Sequence, residues 1–228
     1  MVRELRTPLL LGSDEIERGD QTRNYNSAFM LDPAGATAAV YRKMHLVPFG
    51  EFVPFQQVLF FVAPLVEAVS AFSPGTRVTM MPVEGHMVST AICYEVTYPS
   101  QAREAVRNGS EMLTTITNDA WYGESSAPFQ HFDMAVMRAI EQGRYLVRSA
   151  NTGISGIVDP HGRVVVQSPL FETGTWVGEV RWLDGQTVYS RIGDSIAWAS
   201  CLVTAGLLLL PLWERRRSVA AGAGRSYS

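Results

Sequence analysis

The sequence predicts a layered α/β domain followed by one C-terminal membrane helix. Two observations carry this expectation. Short apolar runs ending in turn residues alternate with helical patterns along the first 190 residues, as in domains built from stacked sheets and helices. From Ser195 to Trp213, by contrast, no residue is charged, and at about 1.5 Å per residue a helix of that length spans roughly 29 Å, close to the hydrocarbon thickness of a bilayer.

Taken in order, Leu9 to Gly12 reads as a short buried strand ending in a Gly turn. Tyr25 to Leu31 and Ala36 to Tyr41 read as a hairpin around the turn Asp32-Pro33-Ala34-Gly35. Phe52 to Phe72 is strongly apolar, but Pro54, Pro64 and Glu67 make it a poor membrane span. It reads either as an amphipathic arm in the bilayer interface or as a helix pair under a loop. Val88 to Cys93 is a strand of small and apolar residues that ends at the cysteine, and Gln101 to Asn108 is a short helix closed by Gly109. Met112 to Thr117 is the next strand. Phe132, Ala135, Val136, Ala139 and Ile140 recur at helical spacing within a helix from Phe129 to Tyr145, with Ser125 or Ser126 available as its cap. Leu146 to Ala150, Gly156 to Val158 and Arg163 to Gln167 read as strands, the last two joined by the turn Asp159-Pro160-His161-Gly162.

At the C-terminus Trp198 and Trp213 flank the charge-free stretch, where indoles favour the membrane interface. Arg215, Arg216 and Arg217 follow, which assigns the tail to the cytoplasm by the positive-inside rule. A buried core helix is the competing reading. The domain before Asp194 is then expected across the membrane, yet the only early apolar run is Leu9 to Leu11, too short for a signal peptide. The chain is therefore expected to be a piece of a longer protein.

Of 228 residues, 46% are hydrophobic and 18% charged, which fits a folded domain. The net charge of -3 offers no basic footprint for nucleic acid. Two cysteines, Cys93 and Cys201, make neither a disulfide framework nor a metal pattern. Cys201 falls in the C-terminal apolar stretch and reads as a packing residue. Cys93 lies in polar sequence at a strand end, and could be a nucleophile or a small buried hydrophobe.

Three segments carry side chains suited to chemistry. Tyr41-Arg42-Lys43-Met44-His45-Leu46-Val47-Pro48-Phe49-Gly50-Glu51 sets a lysine just after a strand and a glutamate in a Pro/Gly loop. Ile92-Cys93-Tyr94-Glu95 puts a thiol at the carboxyl end of a buried strand, where catalytic groups collect in α/β folds. Thr117-Asn118-Asp119-Ala120-Trp121-Tyr122-Gly123 is a polar, aromatic loop after the next strand. A thiolate beside an ammonium suits acyl transfer, because the cation favours the ionised thiol and can stabilise an oxyanion, while a carboxylate moves protons. Singly, Lys43 could be a surface charge, Glu51 a turn residue and Glu95 a salt-bridge partner.

Together and in this order, YRKMHLVPFGE, ICYE and NDAWYG resemble the carbon–nitrogen hydrolase (nitrilase) superfamily, and within it most closely the apolipoprotein N-acyltransferase branch. The FVPF segment after Glu51, the run SSAPFQHFDMAVMRAIEQGRYLVRSANTG and the C-terminal apolar stretch favour that branch. The resemblance implies a nitrilase-type αββα sandwich over residues 1–190 lacking its N-terminal strands, a transmembrane helix at 191–214 and a cytoplasmic tail at 215–228. It implies a Glu–Lys–Cys triad with Cys93 as nucleophile, Lys43 as the lysine and Glu51 as a second active-site glutamate. Tyr94 and Glu95 match the pair after the nucleophile, and Tyr94, Trp121 and Tyr122 are expected at the substrate.

The implied reaction moves an acyl chain from a phospholipid, usually phosphatidylethanolamine, through a Cys93 thioester to the α-amine of an S-diacylglyceryl cysteine on an apolipoprotein. No metal or organic cofactor is implied. The implied location is the bacterial inner membrane, with the catalytic domain on its outer side. The family's first triad glutamate, in a Pro-Glu-Thr-like motif, is expected upstream of Met1, and Glu4, Glu15 and Glu17 lack its context. Activity of this chain alone is accordingly not expected. A membrane-tethered amidase or nitrilase, and a non-catalytic lipid-binding ectodomain, are the alternatives.

Overall fold

The computed structural model describes residues 2–52 and 72–223, with side chains of the last helix described as far as Pro211. All but the two end residues of the Phe52–Phe72 segment lie outside the described residues. The chain divides into two compact units, Met1–Ser190 and Arg191–Ser228.

After a short helix α1 (Val2–Leu5), the first unit opens with an antiparallel sheet in the order β1 (Leu9–Glu17), β2 (Arg23–Leu31), β3 (Thr37–Arg42). The predicted hairpin of β2 and β3 is present. Its turn closes with the Gly35 amide donating to the Asp32 carbonyl at 2.8 Å, and Gly35 takes a φ of 79° that glycine adopts without strain. Strand β1 runs five residues beyond the predicted Gly12. Ser13 to Glu17 show no apolar alternation, but pairing of Gly12 with Ala28 carries the ladder on to Glu17 and Arg23. The extension is a property of the register, not of local composition.

The second sheet has six strands in the order β4 (Met81–Val83), β5 (His86–Ile92), β6 (Met112–Asn118), β7 (Leu146–Asn151), β8 (Gly156–Val158), β9 (Val164–Gln167). Strands β5, β6 and β7 are parallel and the outer pairs antiparallel. Parallel neighbours need crossovers, supplied by α2 (Pro99–Arg107) between β5 and β6 and α3 (Ala127–Gln142) between β6 and β7. Helix α3 ends at Gly143, whose φ of 61° gives the left-handed stop.

Two apolar layers hold these parts together. Ala28, Met30 and Tyr41 of the small sheet pack against Met81, Val88 and Ile92 of the large one. On the other face of the large sheet, Leu113, Leu146 and Val158 meet Val106 of α2 and Phe132, Ala135 and Ala139 of α3. The described residues thus form sheet, sheet and helix layers, three of the four expected in an αββα sandwich.

A short helix α4 (Val188–Ile192) precedes the long helix α5 (Ser195–Ala223), which contains Pro211. In α5 the side chains of Ile196, Trp198, Leu202, Val203 and Leu207 to Leu210 are exposed. Ser200 and Thr204 turn their hydroxyls back onto carbonyls four residues earlier. The predicted helix is therefore found, but among the described residues no helix is long and apolar enough to cross a membrane.

Candidate active site

The site forms where the carboxyl ends of β5 and β6 meet the segment leaving β3. Strand β5 stops at Ile92, and the chain enters a 3-10 turn over Cys93–Thr97. Cys93 takes a φ of 55°, a left-handed conformation that costs a non-glycine residue about 1–3 kcal/mol and persists only when its surroundings hold it. Its side chain is half-buried.

Glu95 links this turn to the lysine loop. One carboxylate oxygen accepts from the Tyr41 hydroxyl at 2.7 Å, the Met44 amide at 2.7 Å and the His45 amide at 3.0 Å. The other accepts from the Ile92 amide at 2.8 Å. A buried carboxylate with four donors is well solvated by the protein, and here it ties the backbone beside Lys43 to the backbone beside Cys93. Tyr41 also accepts from Gln101, and burial together with the adjacent Glu95 carboxylate pushes its phenol well above the ordinary range.

Lys43 is 1% exposed and donates to both oxygens of Glu51, at 2.8 and 2.7 Å. Glu51 further accepts from the Asn26 side chain at 2.9 Å and from the Val47 amide at 2.8 Å. Glu15 and Glu17 lie elsewhere, bonded to Arg42 on the face of the small sheet that carries Ser27, opposite the face of Asn26.

Among the aromatic residues expected at the substrate, Tyr122 packs edge-on to His131 at 5.8 Å. Burial and the neighbouring Cys93 raise the Tyr122 phenol above its usual value. Tyr94 is exposed and meets Tyr98 edge-on at 6.0 Å. Trp121 is 84% exposed and presents its indole to solvent. A small cavity behind Glu95, lined by Thr90, Gln101 and Arg138, includes neither Cys93 nor Lys43. Among the described residues no group of three or more His, Cys, Asp or Glu could hold a metal.

Asn26, Gln101, His131 and Arg148 of the site are not singled out by the sequence, and Tyr41 and Asp119 fall within the chemistry-bearing segments without a role of their own. A signal existed for His131. The buried stripe Phe132, Ala135 and Ala139 carries His131, Arg138 and Gln142 at its margin, and polar side chains on a buried helical face need partners inside.

The turn that carries Cys93 and the loop that carries Lys43 are thus joined through the Glu95 carboxylate, with Glu51 on the lysine. The family profile described as carbon–nitrogen hydrolase matches residues 1–187. The chain belongs to the carbon–nitrogen hydrolase family. Among the chain's curated relatives, the apolipoprotein N-acyltransferase of Geobacter metallireducens is 42% identical over 220 residues, covering 96% of this chain and 42% of the relative. That of Shewanella oneidensis is 41% identical over 179 residues, or 78% of this chain and 34% of the relative. The chain thus spans less than half of either relative's length. Among solved structures, a carbon–nitrogen hydrolase from Helicobacter pylori superposes with a TM-score of 0.57 at 19% identity, covering 73% of this chain and 59% of that one. An amidase from Nesterenkonia sp. gives 0.55 at 22%, with 74% and 59% covered. At such identities these likenesses concern the fold alone.

Proposed function

We propose that this chain carries the acyl-transfer site of an apolipoprotein N-acyltransferase. The observation that carries the reading is Cys93, held in a left-handed conformation at the end of β5 and tied through Glu95 to the loop of the buried Lys43. The similarity over 96% of the chain to a protein of that name supports it. In this reading the Cys93 thiolate attacks the acyl ester of a phospholipid, phosphatidylethanolamine being the expected donor. The C–O bond breaks and a lysophospholipid leaves with a proton on its oxygen. The α-amine of a diacylglyceryl cysteine then attacks the thioester, loses a proton and regenerates the thiol. Lys43 stabilises the thiolate and the oxyanion. Glu51 holds Lys43, and Glu95 acts by position, since its oxygens are already engaged by four donors. Tyr94, Trp121 and Tyr122 bound the acyl entrance.

The same reading makes residues 195–213 a membrane span with the arginine-rich tail cytoplasmic and the catalytic unit outside, at the bacterial inner membrane. In support, the helix is present, its apolar side chains are exposed, and the hydroxyls of Ser200 and Thr204 are bonded within it, as a lipid environment requires.

The test is thioester formation with phosphatidylethanolamine in detergent micelles, read by intact mass. It is made on this chain and on the chain extended through whatever its gene encodes upstream of Met1. The expected result is one acyl chain on Cys93 of the extended protein, absent from its Cys93→Ala variant. Ammonia release from small amides without acylation would make it an amidase, and neither activity a binding module.

A further inference from the structure

We infer that His131 is a positioning residue for Cys93, clamping the nucleophile's own backbone; the inference rests on Cys93 being the nucleophile. His131 Nε2 lies 3.2 Å from the Cys93 carbonyl oxygen. A carbonyl can only accept, so Nε2 carries the proton and donates it there. In that tautomer Nδ1 accepts from Arg148 Nη2 at 3.1 Å, and the Asp119 carboxylate lies 3.0 Å from the same nitrogen. Asp119 in turn accepts from Arg148 at 2.8 Å and from the Thr117 hydroxyl at 2.8 Å. His131, Asp119 and Arg148 are all buried, so the ring has no freedom to turn away.

Four elements converge here. Cys93 follows β5, Asp119 follows β6, Arg148 belongs to β7 and His131 to α3. Side chains thereby hold the backbone around Cys93: His131 donates to the carbonyl of the peptide unit that follows it, and Glu95 accepts from the Ile92 amide, one unit further back than the one that precedes it. A positive φ at a non-glycine residue needs this kind of over-determination, and it fixes the direction in which the thiol leaves the backbone. The assignment also separates His131 from the base of a cysteine–histidine dyad, because its Nε2 proton is committed to the carbonyl and not to Sγ.

The experiment measures alkylation of Cys93 by iodoacetamide in the full chain, in detergent, with Cys201→Ser removing the other thiol. Thermal midpoint and near-ultraviolet dichroism report the fold alongside. His131→Leu is expected to slow alkylation about tenfold or more, since small misplacements of a reacting group are costly. His131→Gln, whose amide can donate to the same carbonyl, is expected to restore most of the rate, which general loosening of the core would not do. Should His131→Leu fail to fold, Asp119→Asn takes its place with the same expected slowing. A folded His131→Leu or Asp119→Asn that reacts at the parental rate overturns the positioning role alone. A parental Cys93 no more reactive than free cysteine overturns the nucleophile reading beneath it.

Discussion

Lys43 gives two hydrogen bonds to Glu51, one to each carboxylate oxygen, and is itself almost wholly enclosed. Breaking such a pair from one side leaves an uncompensated charge. Lys43→Met is expected to destabilise the chain by about 2–4 kcal/mol, near the lower part of the range for buried pairs because Glu51 retains some solvent. If Lys43 serves the Cys93 thiol as proposed, the same change should also slow Cys93 alkylation about tenfold. Urea unfolding and alkylation rates check the two halves separately.

Glu95 gathers four donors, so its truncation strands Tyr41, Met44, His45 and Ile92 together. Glu95→Ala is expected to lose about 4 kcal/mol or more, as broken buried networks do. Glu95→Gln keeps the shape but can accept through one oxygen only, and should lose about half as much. Equal stability of the alanine variant and the parent in urea would show that the junction does not depend on this carboxylate.

Asp119 predicts a pH dependence. Burial alone would raise its pKa, but the adjacent His131, the charge of Arg148 and the Thr117 hydroxyl leave it below the ordinary value. A carboxyl depressed in the native state contributes stability that is complete above its unfolded pKa, about 3.9, and is lost as pH falls through the native one. Asp119→Asn should therefore flatten the stability curve below about pH 4. Glu15, held low chiefly by its hydrogen bonds to Arg42, keeps part of the slope in both proteins. Denaturant midpoints across the acid range test this, and parallel curves would exclude Asp119 as a contributor.

Gly153 leaves room for the Asp119 carboxylate, onto which a methyl group at this position would fall. Gly153→Ala is expected to destabilise by about 1–3 kcal/mol through overpacking and to slow Cys93 alkylation by displacing Asp119 from His131. A normal alkylation rate with a lowered thermal midpoint would confine the effect to packing.

The proposed membrane span predicts that the whole chain stays with liposomes through alkaline carbonate extraction, while a chain ending at Ser190 does not. Release of the whole chain by carbonate would mean that α5 packs against protein and not lipid.

The sequence by itself determined the order of the elements and the chemical character of the site. The Asp32–Gly35 turn, the α3 stripe and the strands flanking Cys93 are local patterns, set by φ preferences and by 3.6- and 2-residue periodicities. Lys43, Glu51, Cys93 and Glu95 stood out because a thiol, a cation and carboxylates cluster in two short segments. Only the tertiary structure decided what each does. The extension of β1 to Glu17 comes from pairing with β2, and the three-residue β4 exists because β5 is there to receive it. Glu95 became a junction because donors 50 or more residues away arrive at its oxygens, and His131 a clamp because α3 lies over the end of β5. Such roles depend on which distant atoms meet in a region without water, a relation that no local stretch of chain encodes.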